Sequence, residues 1–444
     1  MIEKLKRLWE SVKITPQNLP EKVIWYYITG TYLLYIIGAQ HIVAPAIAWF
    51  LAGYLCVQLW QQTQDTPPEE RIRIPLGVWI WIAGMLLMEV AIVGAHLDFN
   101  MDLPRIVRST INFFARTWAL LALFPLSGCL KIRSQLIYRA ACILCIQSLI
   151  LVVLFYAMSL VNIRLPIITS PLYKIGGVGA EYYNILLYIR DSDTGKTRLY
   201  LFTPWAPALG MVGNIYFFLV CQEANKRLRW LGMIGAAAMV WSSDSRLGIL
   251  CLPTLPVINW ILSNMTRPGI QLTAGAFSVF SGMFGIQLLN WYKDFRAQFD
   301  GQRASSSRVR EVLGRIALYR WQNDAPIWGF GIKEPKGPRV VTGKPIGSHH
   351  TWFGVLFTHG IVGFIALAVP MTWSFIECLI KAQKNTTAQV ALGILTVLIM
   401  FSFAENLETL AYLYWPGLVI LGIALKEKFS LVSKSELTLQ NSSY

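Results

Sequence analysis

Residues 292–350 read YKDFRAQFDGQRASSSRVREVLGRIALYRWQNDAPIWGFGIKEPKGPRVVTGKPIGSHH, between the apolar runs 270–291 and 351–380. The cations are Lys293, Arg296, Arg303, Arg308, Arg310, Arg315, Arg320, Lys333, Lys336, Arg339 and Lys344. Against Asp294, Asp300, Glu311, Asp324 and Glu334 they lead by 11 to 5. An ordinary hydrophilic loop can carry such a composition. Pinned between apolar spans, the segment also suits a large anionic partner at a bilayer surface. It closes on His349 and His350, where the chain turns apolar again.

Working outward, the chain of 444 residues is 55% hydrophobic and 14% charged, with mean hydropathy +0.48. Soluble domains carry about a quarter charged residues, so the composition predicts an all-α integral membrane protein in a lipid bilayer. The net charge of +15 partly reflects basic turns on the inner side, as the positive-inside rule expects, and does not call for nucleic acid. The seven cysteines lie in or at the ends of apolar runs. Cys142 and Cys145 form a lone C-x-x-C inside one of them, so neither zinc nor a disulfide framework is expected. No small-residue cleavage site follows the first apolar run, and no cleavable signal is expected.

Three segments result. Residues 1–22 place Ile2, Leu5, Leu8, Trp9 and Val12 on one helical face and predict an amphipathic helix on the cytoplasmic surface. Residues 23–425 form the polytopic domain, and 426–444 a cytoplasmic tail. The spans fall near 23–39, 42–60, 75–95, 108–130, 136–160, 204–221, 230–242, 246–260, 270–291, 351–380, 388–404 and 410–425. About twelve transmembrane helices of this length match a bilayer if some tilt. Alternation puts both termini inside, with basic turns at Lys131, Lys226 and Lys381. It gathers the Ser242–Arg246 turn, the large 292–350 loop with its short helices, the two histidines and Glu405 on the external, periplasmic side. The alternating RLYLF at 198–202 reads as a short strand or a loop edge.

Several of these residues carry chemistry. Arg246 sits in a very short hairpin at the membrane surface, where an arginine must snorkel or pair. It can pair with Asp244 or a headgroup, or clamp phosphate with its planar donors. Residues 305–321 read as an amphipathic helix, with Val309, Val312, Leu313 and Ile316 on one face and Arg308, Glu311, Arg315 and Tyr319 along another. The Pro326–Gly331 stretch is a Pro/Gly-broken turn. A histidine beside several arginines is held neutral, the condition for a general base at neutral pH. No carboxylate cluster offers an octahedral site, so no metal is expected.

Three motifs follow in order: GRIALY (314–319), PIWGFG (326–331) and HHTWFGVLFTHGIVG (349–363). Together they resemble the O-antigen ligase/polymerase superfamily, membrane glycosyltransferases of the GT-C type. Ser245-Arg246 resembles that family's upstream Ser-Arg, and Glu405 its acidic position after the penultimate helix. Counting back from Gly360 and Gly363 aligns His349 with the family's histidine. His350 then stands in its Asn/Ser place, and Thr358 where many members carry an acid.

The resemblance implies an inverting, metal-independent glycosyltransferase of the bacterial inner membrane, without cofactor and with its site on the periplasmic side. The donor would be a glycan on polyprenyl (undecaprenyl) pyrophosphate. The acceptor would be lipid A–core for a ligase, or another lipid-linked glycan for a polymerase, both in lipopolysaccharide or polysaccharide biosynthesis. It casts His349 as base and Arg246 and Arg315 as catalytic pyrophosphate clamps. Arg308 and Arg320 would also bind the pyrophosphate, and His350 and Glu405 would support. A bicarbonate-type transporter is the rival reading, but charges gathered at one surface rather than the midplane favour interfacial chemistry.

Overall fold

The computed structural model describes residues 14–67, 71–163, 167–176, 179–186, 188–191, 195–301, 304–333, 337–338 and 343–427. Most of the amphipathic helix expected over 1–22 lies outside these residues, as do nearly all of the 426–444 tail and Arg303, Glu334, Lys336 and Arg339 of the large loop. Within 1–22, residues 14–17 are not helical. Helix α1 (Leu19–Thr29) starts where the Asn18 side chain accepts from the Glu21 amide, with Pro20 in the first turn.

The protein is mostly α-helical, and the expected apolar runs form helices close to their predicted limits. After α1 come α2 (Thr31–Ile37), α3 (Gln40–Trp60), α4 (Leu76–Asp98) and α5 (Leu103–Ser109). A π-helical stretch (Thr110–Trp118) joins α5 to α6 (Leu120–Ser127), so the run expected over 108–130 is helical in three pieces. Then come α7 (Ser134–Leu160), α8 (Ala206–Val220), α9 (Lys226–Ser242), α10 (Arg246–Leu262), α11 (Pro268–Met283) and α12 (Gly285–Gly301). The last four are α13 (Ala304–Asp324), α14 (Thr351–Ala382), α15 (Thr386–Ser402) and α16 (Leu407–Lys426).

Between α7 and α8 the chain makes two antiparallel ribbons. One pairs β1 (Ile168–Thr169) with β2 (Asn184–Ile185), the other β3 (Tyr188–Arg190) with β4 (Thr197–Leu199). The start of the RLYLF stretch is therefore strand.

Five helices, α3, α4, α7, α14 and α16, are long and apolar enough to cross a bilayer, and α11 with α12 would make six if counted as one broken span. Three of the other expected spans are the shorter apolar helices α8, α10 and α15. The ninth expected span departs most from the prediction. It does not run straight from 270 to 291 but turns by 86° between α11 and α12. Helix then continues to Gly301, so the first part of the 292–350 loop is helical. α11 buries no residue against the protein, and its exposed Leu272, Phe277 and Met283 suit contact with lipid.

α16 is the axis of the bundle, with every residue from Leu410 to Leu425 buried. α4 packs along α14, joined by the Trp81 indole donating to Ser374 Oγ at 2.8 Å. At one end basic residues tie turns together. Arg133 binds Glu21 at 2.6 Å, Arg139 binds Glu223 at 2.7 Å, and Lys381 donates to the Leu425 carbonyl. The functional candidates gather at the other end.

α14 is broken at Gly360, whose φ is +62°, and the break has a specific partner. Phe330 N and Gly331 N donate to the Phe357 and Thr358 carbonyls, both at 2.8 Å. Ile361 N and Val362 N donate to the Pro326 and Ile327 carbonyls, at 3.0 and 3.3 Å. The Pro326–Gly331 turn thus satisfies backbone groups that a broken helix exposes, which is the condition for non-helical backbone at membrane depth. A Cβ on Gly360 would stand 2.1 Å from the Ile327 carbonyl oxygen.

Candidate active site

The 243–246 turn, the 188–191 and 195–205 stretches, α13, the approach to α14 and the α15–α16 turn converge at this end. Trp205 Nε1 donates to Glu405 Oε2 at 2.9 Å, and Arg310 Nη2 lies 3.8 Å from Glu405 Oε1. Thr351 Oγ1 donates to the Glu405 carbonyl at 2.6 Å, and Asn406 Nδ2 donates to the Gly347 carbonyl at 3.1 Å. Arg198 donates to the Ser243 carbonyl at 3.1 Å and pairs with Asp191, linking the ribbon to the turn before Arg246. Glu405 is 2% exposed. Burial raises its pKa, and Arg310, the Trp205 hydrogen bond, Arg198 and Lys344 oppose that rise.

His349 and His350 take different roles. His350 caps α14, its Nδ1 accepting from the Phe353 amide at 3.3 Å. Its ring stacks on Phe353 at 3.9 Å and meets Phe403 edge-on. His349 has φ +64°, a backbone state uncommon for a residue with a Cβ. Among the described residues its imidazole takes no hydrogen bond, so a ring nitrogen is open to a ligand. Burial lowers its pKa to about 3, helped by Lys344, Arg310 and Lys333. Burial and Arg310 lower that of His350 to about 4.

The four arginines singled out from sequence are spread. Arg246 opens α10 at this end, half-buried, behind Ser245, whose Oγ caps the helix. Arg308 is exposed on α13. Arg315 has 76% of its side chain exposed and pairs with Glu311 one turn back. Arg320 lies 4.5 Å from the Phe330 ring centroid and 5.6 Å from that of Phe357, so it fastens α13 to the Pro326–Gly331 turn and α14.

Four cations complete the cluster: Arg310, Lys333 and Lys344, which the sequence counts in the basic loop without singling them out, and Arg198, which it does not mark. Arg310 had a signal. It precedes the buried Leu313 by three residues and Ala317 by seven, so it shares their helical stripe. Gly314 lets this face approach, since a Cβ there would meet the Phe353 ring at 2.8 Å. Arg198, Lys333 and Lys344 sit in strand or irregular chain, where spacing gives no signal.

An open groove of about 630 Å³ runs beside α5 and the π-helical stretch, with Leu103, Val107, Ile111, Arg108 and Arg116 among its walls. Three or more His, Cys, Asp or Glu side chains placed to hold a metal do not occur among the described residues. Compared with models of known protein families the chain matches none, and no curated protein matches it.

Proposed function

We propose that the protein is a membrane glycosyltransferase that moves a glycan from a polyprenyl-pyrophosphate carrier to an acceptor hydroxyl at one bilayer surface. The observation that carries this reading is His349, held neutral and without a hydrogen-bond partner among the described residues, set among Lys344, Arg310 and Lys333. A neutral base ringed by fixed cations suits a reaction that takes up a proton while a pyrophosphate leaves. The acceptor O–H gives its proton to His349. Its oxygen forms the new bond to the anomeric carbon from the face opposite the leaving group. The bond from that carbon to the pyrophosphate oxygen breaks, and the carrier departs with the electron pair.

Arg310, Lys333 and Lys344 surround the leaving group in this reading, with Arg246 at the neighbouring turn and Arg315 reaching in from the outer face of α13. Glu405 is a positioning residue that holds Arg310. The apolar groove beside α5 suits a polyprenyl tail. If α8, α10 and α15 cross, and the α1–α2 pair, the α5–α6 run and α9 each count as a further span, the count returns to twelve, both termini lie inside and the site faces the periplasm. Ligation to lipid A–core is the favoured form of the reaction, and polymerisation of lipid-linked glycan its variant. The test supplies the purified protein with a lipid-linked oligosaccharide and either acceptor, and identifies the product by mass. No product with either, under conditions where the donor binds, would reject the proposal.

A further inference from the structure

Beside the His349 cluster, a separate cavity of about 160 Å³ is closed in by α3, the π-helical stretch, α14, α16 and the 179–182 segment. Its walls include His41, His359, Glu408, Lys333, Tyr182 and Trp118. His41, His359 and Glu408 are 1%, 4% and 5% exposed. Among the described residues, His41 Nδ1, His359 Nε2 and Glu408 Oε2 have no hydrogen-bond partner. Three buried polar atoms left open around one cavity are costly unless something occupies it.

The chemistry of the open atoms can be read. Thr358 Oγ1 gives its one proton to the Gly354 carbonyl at 2.7 Å, since a carbonyl can only accept. Its 2.6 Å contact with His359 Nδ1 therefore needs the proton on Nδ1, which leaves Nε2 as an acceptor. Glu408 Oε1 already receives Lys333 at 2.9 Å and Asn406 at 3.2 Å, while Oε2 remains an acceptor. Around these stand aromatic faces. The His41 ring lies 4.8 Å from Tyr182 and 4.9 Å from Tyr412, and Trp118 meets His359 edge-on at 5.4 Å. Acceptors facing inward among aromatic walls match a ligand that presents several hydroxyl donors and a C–H face. The volume is roughly five times that of one liquid water, the scale of a single sugar ring.

We propose that this cavity is a saccharide subsite, holding one uncharged sugar unit with its hydroxyls on His359 and Glu408. It rests on the glycosyl-transfer reading for its purpose, since Lys333 and Asn406–Glu408 join it to the His349 approach. Its chemistry stands by itself.

The test measures binding of tritiated glucose, N-acetylglucosamine and glucuronate to the full-length protein in nanodiscs. At least one of the two uncharged sugars should bind saturably. Glucuronate should bind more weakly, because Glu408 and Glu181 face its carboxylate. Glu408→Gln and His359→Phe should each weaken binding by about tenfold or more, and Thr409→Val serves as a milder variant at the same wall. His349→Ala should leave binding within about twofold.

Absence of saturable binding by either uncharged sugar would overturn the subsite. So would binding indifferent to the Glu408, His359 and Thr409 changes, or binding lost equally in His349→Ala. A wild-type protein that binds sugar by these residues but transfers nothing from a lipid-linked donor would remove the transferase reading and keep the cavity.

Discussion

Adjacent in the chain, His349 and His350 should separate cleanly in activity. His350 spends Nδ1 on the α14 cap and its face on Phe353, whereas the His349 ring has no hydrogen-bond partner among the described residues. His349→Ala should lower transfer by roughly 10²–10⁴-fold, the usual range for a lost general base, with donor binding retained. His350→Ala should mainly lower stability, by about 1 kcal/mol, as for other lost caps. Arg310→Ala should weaken donor binding as well as turnover, because a phosphate contact serves ground and transition states alike. Assaying product and binding of a pyrophosphate-linked lipid side by side checks all three. An active His349→Ala with an inactive His350→Ala would move the base by one residue.

Acidity gives a second check on the same residue. The folded pKa of His349, about 3, lies below the ordinary value of about 6.5. Between those values the unfolded chain binds the proton and the folded one does not. Its contribution to stability is therefore complete above pH 6.5 and is lost as pH falls towards 3. The base-dependent acid limb of kcat/KM should accordingly fall well below pH 6. Lys344→Met should move it upward by removing a repelling charge. A limb at the ordinary histidine value in the wild type would contradict the burial seen here.

For the elements, the sharpest expectation concerns the break in α14. Gly360→Ala forces a Cβ against the Ile327 carbonyl at a positive φ, a strain of about 1–3 kcal/mol before any clash. Thermal unfolding in detergent should show a clear loss of stability, and transfer should fall because Thr351 and His349 lie just upstream. A variant as stable and active as wild type would show that the two half-helices do not depend on this turn.

What could be read from sequence divides at the same level. Apolar runs located the helices well, because hydrophobic length is set by the chain itself. The 86° turn between α11 and α12 was not legible, since no proline or charge marks Phe284. On α13 the spacing gave both faces, but not which arginine would dock. It drew attention to Arg315, while packing at Gly314 and Leu313 turned Arg310 inward. His359 lay hidden inside the 351–380 run and His41 at the junction of the first two runs, places where an ionisable residue is itself a signal.

Across the whole molecule, the two ends differ in kind. One is stitched by Arg133, Arg139 and Lys381 to carboxylates and carbonyls, and the other holds the open His349 cluster. In the proposed topology the first end faces the cytoplasm. Single cysteines at Gln322 and Lys384, both exposed, would test this in a background lacking the native cysteines. An impermeant thiol reagent added to intact cells should label Gln322→Cys and spare Lys384→Cys, and the reverse pattern would invert the protein.

The junction at Gly360 also bears on what mutation can touch. The Pro326–Gly331 turn is held to α14 through main-chain groups, which are alike in every amino acid. Ile327, 55% exposed, can then drift through many side chains without loosening the joint. Gly329 and Gly360 have no such latitude, because there the absence of a side chain is itself the requirement. A saturation scan scored on folded yield should therefore be nearly flat at 327 and empty at 329 and 360. At this joint the main-chain pairing depends on spacing and on glycine, while the Phe330–Phe357 stack and Arg320 over it hold the flank.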